Sequence, residues 1–218
     1  MNLELPSEKK ILSFLRTWYL VGIVGFAIPW SYEVFRHLIP LNILLTTLII
    51  LAYHRPLNYR FGLVTLTIFL LGYGIEVVGV KTGFVFGEYE YGTILGPKIA
   101  EVPVILGLNW VLMVYGGLAI TSRTGWGIIP VSLLNALLLT ASDFIIEKFA
   151  VMTGIWIWAG GHPPLRNYLG WFVFSFIFSL IYFRAVYSQP RKVALVIYIY
   201  QLVLFTLTVL ILTFIGTN

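Results

Sequence analysis

The sequence predicts an all-α fold, a polytopic transmembrane helix bundle of about seven spans with long connections on the outer side of the membrane. Of the 218 residues, 59% are hydrophobic and 11% are charged, and the mean hydropathy is +0.92. A soluble domain carries about 25% charged residues, so lipid must be the solvent for most of this chain. The apolar residues also fall into segments close to the ~20 residues that cross a bilayer. We therefore interpret residues 1–218 as a single integral membrane domain.

Seven segments are apolar enough to be candidate spans, and the second is short. They are Ile11 to Pro29, Leu38 to Tyr53, Phe61 to Val80, Glu101 to Ile120, Gly127 to Ile146, Tyr168 to Val186 and Val193 to Ile215. No small-residue cleavage site follows the first segment, so we expect a retained helix rather than a signal peptide.

The net charge of +5 fits the positive-inside rule better than it fits nucleic-acid binding. If the spans alternate in direction, Lys and Arg concentrate on the side of the N-terminus. We therefore expect a multi-pass protein of the cell membrane with a cytoplasmic N-terminus, an outer C-terminus and no nucleic-acid partner.

Two connections between the predicted spans are long, and both fall on the outer side. The connection from Lys81 to Ala100 shows a weak alternation of side chains punctuated by glycine, which predicts a strand and a hairpin lying over the bundle. The connection from Lys148 to Asn167 contains Trp156 and Trp158. Tryptophan prefers the membrane interface, so this connection is predicted to be an interfacial segment.

Four acidic residues are the main candidates for chemistry, because an ionisable group within a span usually has a partner or a task. Glu76 lies near the outer end of the third span, and Glu101 opens the fourth. Asp143 lies late in the fifth span, with Glu147 one turn further along the same face. The predicted topology brings all four to one depth, where a buried carboxyl group could serve as a proton donor.

Each acid also has a purely structural interpretation. Glu76 could pair with Lys81 or Arg166 at the interface. Asp143 could cap a helix or form a structural ion pair. Glu147 could reach the lipid headgroups. For Glu101, the better interpretation is an acid at a helix N-terminus, which the helix dipole favours.

Amide and aromatic side chains in or near the spans could line a pocket. Asn109 and Asn135 lie within spans, where an amide more often joins helices than binds a ligand. Aromatic rings could line a pocket for a long polyene or face a carbocation. The candidates are Tyr89, Tyr91, Trp110, Trp156, Trp158 and Trp171.

Several other chemistries are excluded by the residues that the chain contains. It has no cysteine, and its histidines, His37, His54 and His162, lack the spacing of a metal site. No lysine follows Lys192 in the last span, so the Schiff base of a retinal protein cannot form there. We expect neither a metal ion nor a cofactor.

Two blocks of sequence carry a resemblance to a known family. The first block runs Gly74-Ile-Glu76-Val-Val-Gly79-Val-Lys-Thr82-Gly83-Phe-Val-Phe86-Gly87-Glu-Tyr89-Glu-Tyr91, followed by Leu95-Gly96-Pro97 and Val102-Pro103. The second comprises Asp143-Phe-Ile-Ile-Glu147, Gly154-Ile-Trp156-Ile-Trp158 and Asn167-Tyr-Leu-Gly170-Trp171. Together they resemble the carotenoid 1,2-hydratase family of integral membrane proteins, which includes bacterial acyclic-carotenoid hydratases and haloarchaeal bisanhydrobacterioruberin hydratases.

The resemblance covers residues 72–171 well and the remainder only as hydrophobic spans. The chain departs from the family pattern at Ser142, where a tryptophan is expected, and at Glu101, where a small or uncharged residue is expected. Glu101 therefore inherits no catalytic role.

The resemblance implies cofactor-independent addition of water to the terminal C1=C2 double bond of an acyclic carotenoid end group. In our interpretation, Glu76 or Asp143 donates the proton and the other positions the water, while Glu147 tunes Asp143. The predicted catalytic residues are thus Glu76, Asp143 and Glu147. The predicted substrate-binding residues are Tyr89, Tyr91, Asn109, Trp110, Trp156, Trp158, Asn167 and Trp171.

Other functions stay open at this point. A carotenoid end-group cyclase or isomerase would also protonate a terminal alkene, and a non-catalytic carotenoid- or lipid-binding membrane protein would need no turnover. A transporter could use acids within the membrane, although the chain lacks the internal repeat that many transporters show. The expected partners are a carotenoid that enters from the bilayer and lipid, with a homo-oligomer or an association with other pathway enzymes left open.

Overall fold

The computed structural model describes residues 5–186 and 192–215, and these residues are predominantly helical. The helices are α1 (Glu8–Ala27), α2 (Pro29–His37), α3 (Ile39–Ala52), α4 (Tyr59–Thr82), α5 (Ile105–Thr121), α6 (Ile128–Thr153), α7 (Leu165–Val186) and α8 (Lys192–Ile215). The short strands are β1 (Tyr89–Tyr91), β2 (Lys98–Ile99), β3 (Val102–Pro103) and β4 (Trp156–Trp158). The predicted all-α class is confirmed.

Six of the described helices are long and apolar enough to cross a membrane, which makes the chain a multi-pass membrane protein. The α2–α3 pair forms a seventh span if its two helices, bent by 53° at Leu38, are counted together. Pro29 and Pro40 stand in the first turns of α2 and α3, where the missing N–H of proline costs no hydrogen bond. The predicted second span corresponds to α3 and is short because the polypeptide bends just before it.

Helix α5 occupies the centre of the bundle and packs against α3, α4, α6, α7 and α8. In its membrane-crossing segment 72% of the residues are buried, against 28–39% in the other candidate spans. Small residues allow helices in lipid to approach closely. At Gly72 of α4, for example, a Cβ atom would lie 2.6 Å from the Cβ of Trp110. That close approach brings the indole of Trp110 against α4.

Two predicted boundaries differ from the structure more than the others do. The fifth span was expected to end at Ile146, but α6 continues to Thr153 and therefore carries Glu147 within the helix. The fourth span was expected to begin at Glu101, but α5 begins at Ile105. Residues 98–103 instead form the β2–β3 hairpin, in which Ala100 and Glu101 both have positive φ. Pro103 disfavours a helical conformation at the residue before it, which explains why the helix starts later.

The two long connections meet at one end of the bundle. The hairpin predicted within residues 81–100 is wrong in its pairing, because β1 pairs with β4 of the other connection. The ladder is antiparallel and places Tyr89 opposite Trp158 and Tyr91 opposite Trp156. This β1–β4 ribbon lies over the helices that carry the buried acids.

Candidate active site

Three carboxyl groups from two helices are buried beneath the β1–β4 ribbon. Glu76 of α4 is 5% exposed, and Asp143 and Glu147 of α6 are 0% and 3% exposed. Asp143 and Glu147 are four residues apart, so they lie on one face of α6. No Lys, Arg or His among the described residues forms an ion pair with any of the three. The site therefore concentrates acids without a compensating cation.

Three hydrogen-bond donors surround Glu76. The hydroxyl groups of Tyr89 and Tyr91 donate to Oε2 at 2.8 and 2.7 Å, and the indole Nε1 of Trp110 donates to Oε1 at 2.9 Å. Burial is the main reason that the pKa of both Tyr89 and Tyr91 lies above its ordinary value, and the neighbouring Glu76 raises it further. Both phenols therefore stay protonated. Both oxygens of Glu76 are thus held as acceptors, which suits a carboxylate.

Glu147 also accepts three hydrogen bonds. The indoles of Trp156 and Trp158 donate to Oε2 at 3.0 and 2.7 Å, and the amide of Asn167 donates to Oε1 at 3.1 Å. The tryptophans lie on β4, one strand away from the tyrosines of β1. The ribbon therefore supplies two donors to each of two carboxyl groups on different helices.

Asp143 accepts fewer hydrogen bonds than Glu76 or Glu147. Asn167 Nδ2 donates to its Oδ2 at 2.6 Å, while Oδ1 is buried and has no hydrogen-bond partner. The amide of Asn167 thus bridges Asp143 and Glu147. An ionised carboxyl group with one bare, buried oxygen is costly, so the surroundings of Asp143 favour a bound proton more than those of Glu76 do.

The ribbon presents its aromatic rings to the acids because side chains alternate along a strand. Tyr89, Tyr91, Trp156 and Trp158 face the bundle, whereas Glu90 and Ile157 are exposed on the opposite face. The rings of Tyr89 and Trp158 lie 4.9 Å apart, and those of Tyr91 and Trp156 lie 5.9 Å apart. The four rings form a continuous aromatic cover over the site.

A cavity of about 30 Å³ lies between the acids and this cover. One water molecule needs about 10–15 Å³ on this measure, so the cavity is the size of one or two waters. Its lining residues are Glu76, Phe86, Tyr89, Tyr91, Leu106, Asn109, Glu147, Trp156, Trp158, Asn167 and Trp171. No hydrogen bond joins the side-chain amide of Asn109 to another described residue, so its donors and acceptor are available to the cavity.

The residues predicted from sequence for the site converge at this place. Nine of them line the cavity, while Trp110 reaches it through Glu76 and Asp143 through Asn167. The structure thus brings together every residue assigned to catalysis or substrate binding, and their roles remain proposals. Two lining residues were missed. Phe86 belongs to the glycine-aromatic string and could have been included, whereas Leu106 carries no signal that distinguishes it from other leucines in spans.

Glu101 does not join the three buried acids. Its side chain is 67% exposed and forms an ion pair of 2.8 Å with Lys81. Neither Lys81 nor Arg166 pairs with Glu76, since Arg166 donates to the carbonyl oxygen of Gly83. Asn135 joins helices as expected, because its amide donates to Ser179 Oγ on α7 and to the carbonyl oxygen of Val114 on α5.

Metal binding has no evident site in the part of the chain that the structure describes. Within residues 5–186 and 192–215, no group of three or more His, Cys, Asp and Glu side chains is arranged to hold a metal ion. The three buried carboxyl groups and the amides beside them are suited to proton transfer and to positioning a small polar molecule.

Comparison with known proteins connects the fold to a family. A family model described as "carotenoid biosynthesis protein" matches residues 38–217. The chain is also similar to the bisanhydrobacterioruberin hydratase of Haloarcula japonica, with 30% identity over 137 residues. That alignment covers 56% of this chain and 45% of the relative, so the match spans less than half of the relative's length. No solved structure matches the chain.

The family match contains the candidate site as a whole, from Glu76 on α4 to Trp171 on α7. It also contains both connections that form the β1–β4 ribbon. The resemblance predicted from the two sequence blocks is confirmed by the family model and by the hydratase relative. The chain therefore belongs to the family of carotenoid biosynthesis proteins.

Proposed function

We propose that this chain hydrates the terminal C1=C2 double bond of an acyclic carotenoid end group without a cofactor. Family membership supports a role in carotenoid biosynthesis, and the name of the Haloarcula japonica relative supports a hydratase reaction. The observation that carries the proposal is the unequal hydrogen bonding of three buried carboxyl groups around a water-sized cavity.

Protonation of an isolated alkene requires a strong acid that is shielded from bulk water, because water would otherwise accept the proton first. Like charges that lie close together in an apolar site cannot all ionise cheaply, so the acids retain at least one proton. Glu76 accepts three hydrogen bonds and is suited to the charged form. We assign the proton to Asp143, whose Oδ1 has no hydrogen-bond partner and which Asn167 links to Glu147. Glu147 lines the cavity and delivers the proton to the substrate.

The reaction then proceeds in two bond-forming steps. The proton from the Asp143–Glu147 pair adds to C2, and the π electrons leave a tertiary cation at C1. The oxygen of a water molecule adds to C1 and releases one proton to Glu76. Transfer of that proton from Glu76 back to the pair through the cavity restores the starting state. The net change is one hydrogen at C2 and one hydroxyl at C1.

The cavity geometry supports hydration over cyclisation. A space of about 30 Å³ beside two carboxyl groups and the Asn109 amide is large enough for a water molecule and offers it polar partners. A cyclase would instead exclude water, because the cation must be quenched by a second double bond. The aromatic faces of the ribbon stabilise the cation until water adds.

Expression in a bacterium that accumulates lycopene tests the proposal. Mass analysis of the extracted pigments should show one added water per modified end, with ¹⁸O retained when the cells grow in H₂¹⁸O. Glu76→Gln and Asp143→Asn should each reduce product at least 100-fold, since general acid–base groups contribute about 10²–10⁴. Glu101→Gln is the matched control, because it removes an exposed acid outside the site, and it should retain activity within about twofold.

Three results would contradict the proposal. A product of unchanged mass with shifted absorption would indicate cyclisation or isomerisation. Full hydration by both Glu76→Gln and Asp143→Asn would exclude the acid assignment. Absence of any product from several acyclic carotenoids, with the protein verified in the membrane, would favour a non-catalytic binding protein.

A further inference from the structure

A second cavity lies on the opposite face of α6 from the acids. It measures about 160 Å³ and is walled by α1, the α2–α3 bend, α6 and α8. Phe149 of α6 lines it, whereas Glu147, two residues earlier, lines the acid cavity. Residues two apart in a helix point to opposite sides, so α6 separates the two cavities. No role proposed above uses this second cavity.

Most of the second cavity is apolar, but one wall carries a chain of buried hydrogen bonds. The indole Nε1 of Trp18 donates to Asn42 Oδ1 at 2.9 Å, and Asn42 Nδ2 donates to Gln201 Oε1 at 2.8 Å. The hydroxyl of Tyr19 also donates to Gln201 Oε1, at 2.9 Å. All four residues line the cavity.

Trp18 fixes which atoms donate and which accept in this series of hydrogen bonds. An indole N–H can only donate, so the atom of Asn42 that faces it is the amide oxygen. The Nδ2 of Asn42 then faces Gln201, whose facing atom must be an oxygen. The Nε2 of Gln201 takes no part in this series, and it makes no hydrogen bond to a described residue. Because Gln201 is only 3% exposed, this leaves a free donor in an apolar wall of the cavity.

A lipid-facing groove adjoins the cavity. A surface groove of about 400 Å³ between α1 and α2 shares Val21 and Phe35 with it. The groove is lined by exposed apolar side chains that include Leu20, Val24 and Val34. A long apolar chain in the bilayer could therefore lie in the groove with its end in the cavity.

We propose that this cavity binds the end of an isoprenoid chain that terminates in a tertiary alcohol, the product class of the reaction proposed above, on which this inference rests. The free donor of Gln201 requires an acceptor oxygen. The lining residues carry no Lys or Arg, so a phosphate headgroup finds no counter-charge there. An apolar cavity of about 150 Å³ holds a benzene-sized group, which fits one branched end group.

The hydrated polyene 1-hydroxy-1,2-dihydrolycopene and its parent lycopene are the probes. Purified full-length protein carrying Asp143→Asn, which prevents conversion of lycopene during the experiment, is equilibrated with each pigment in lipid nanodiscs, and bound pigment per chain is quantified by chromatography. The alcohol should bind about fivefold more tightly than lycopene, as expected for one buried hydrogen bond. Gln201→Leu should abolish this preference.

A steric variant keeps the test decisive if Gln201→Leu does not fold. Gly22 lines the cavity, and a Cβ there would meet only Leu204 Cδ1 at 3.4 Å, so Gly22→Leu fills the space without a backbone clash. It should reduce binding of the alcohol at least fivefold. Gly62→Leu is the matched control, because nothing lies within 4 Å of its Cβ position, and it should bind as the unmodified chain does.

The outcomes separate this inference from the proposed function. Equal affinity for the two polyenes, or unaltered binding by Gly22→Leu, would overturn the second site even if hydration occurs. Displacement by oleyl alcohol as effective as by the polyene alcohol would also overturn it, since the occupant would then be an acyl lipid. A retained alcohol preference, together with an unmodified chain that hydrates none of several acyclic carotenoids, would support the site and overturn the proposed function.

Discussion

Asn167 Nδ2 lies 2.6 Å from Asp143 Oδ2, which ties the start of α7 to the middle of α6. The same nitrogen lies 3.1 Å from Glu147 Oε1, so one amide group holds two carboxyl groups in register. In the proposed mechanism this bridge holds the two carboxyl groups in place, so that a proton on Asp143 can pass to Glu147. Asn167 is therefore a positioning residue for the acid.

The first prediction concerns this bridge. Asn167→Ala should lower hydration at least tenfold, because Glu147 loses one of its three hydrogen-bond donors and Asp143 loses its single donor. Product formation from lycopene in isolated membranes measures the effect, with protein amount determined by immunoblot. Asn135→Ala provides the matched comparison, since Asn135 is the other fully buried asparagine of α6 and α7 and joins helices away from the acids. It should reduce stability but leave turnover per folded chain within about twofold.

The second prediction separates hydrogen bonding from aromatic packing at Glu147. Trp156→Phe and Trp158→Phe keep a ring in place but remove the N–H groups that Oε2 accepts. A hydrogen bond to a charged group contributes about 1.5–3 kcal/mol, so the double variant should lose at least tenfold in turnover. Trp126→Phe makes the same change at an exposed position outside the cavity and should have no effect. Turnover of the double variant equal to that of Trp126→Phe would mean that these indoles serve only as packing.

Much of the fold follows from composition. In lipid the backbone N–H and C=O groups of a long apolar segment need partners within the protein, and a helix supplies all of them within the segment. The acids of the site were also recognisable, since Glu76 and Asp143 interrupt spans that otherwise lack charge. The extension of α6 past Ile146 was not recognised. Glu147 and Lys148 are typical of a helix end at the interface. The indoles of Trp156 and Trp158, in the connection that follows α6, and the amide of Asn167 explain how Glu147 can be buried.

The pairing of β1 with β4 could not be predicted from local pattern. Alternation along residues 84–91 indicates which side chains share a face, but it does not identify the partner strand. Residues 89–91 and 156–158 are distant in sequence, with α5 and α6 between them, so their pairing depends on how those helices pack. The exposure of Glu101 was missed for a related reason, because its backbone adopts positive φ in a hairpin that forms against Val102 and Pro103.

The third prediction concerns entry of the substrate. The acid cavity is only water-sized, so an isoprenoid end group can reach the acids only if the ribbon or a neighbouring helix moves. Glu90 and Ile157 are paired across the ribbon and are exposed. Directly paired strand residues have Cα atoms about 5.5 Å apart, within the range of a disulfide. The Glu90→Cys/Ile157→Cys double variant should therefore form a disulfide that holds the two connections together.

Oxidised membranes of this variant should hydrate lycopene at least tenfold more slowly than the same membranes after reduction. Each single cysteine variant controls for the substitutions, since the natural chain contains no cysteine and cannot form another bridge. Equal rates before and after reduction, with the disulfide verified by mass analysis, would show that the substrate enters without separation of the two strands.

The fourth prediction tests the orientation that the distribution of Lys and Arg indicates. The ribbon lies at the end of the bundle opposite to Arg123, which follows α5, and both Glu88 and Arg123 are exposed. If the N-terminus is cytoplasmic, Glu88 faces the outside and Arg123 faces the cytoplasm. In intact cells, a membrane-impermeant maleimide should label Glu88→Cys and not Arg123→Cys, and permeabilisation should make both reactive. The reverse pattern would place the N-terminus outside and the acids near the cytoplasmic face, so that the water for the reaction would come from the cytoplasm.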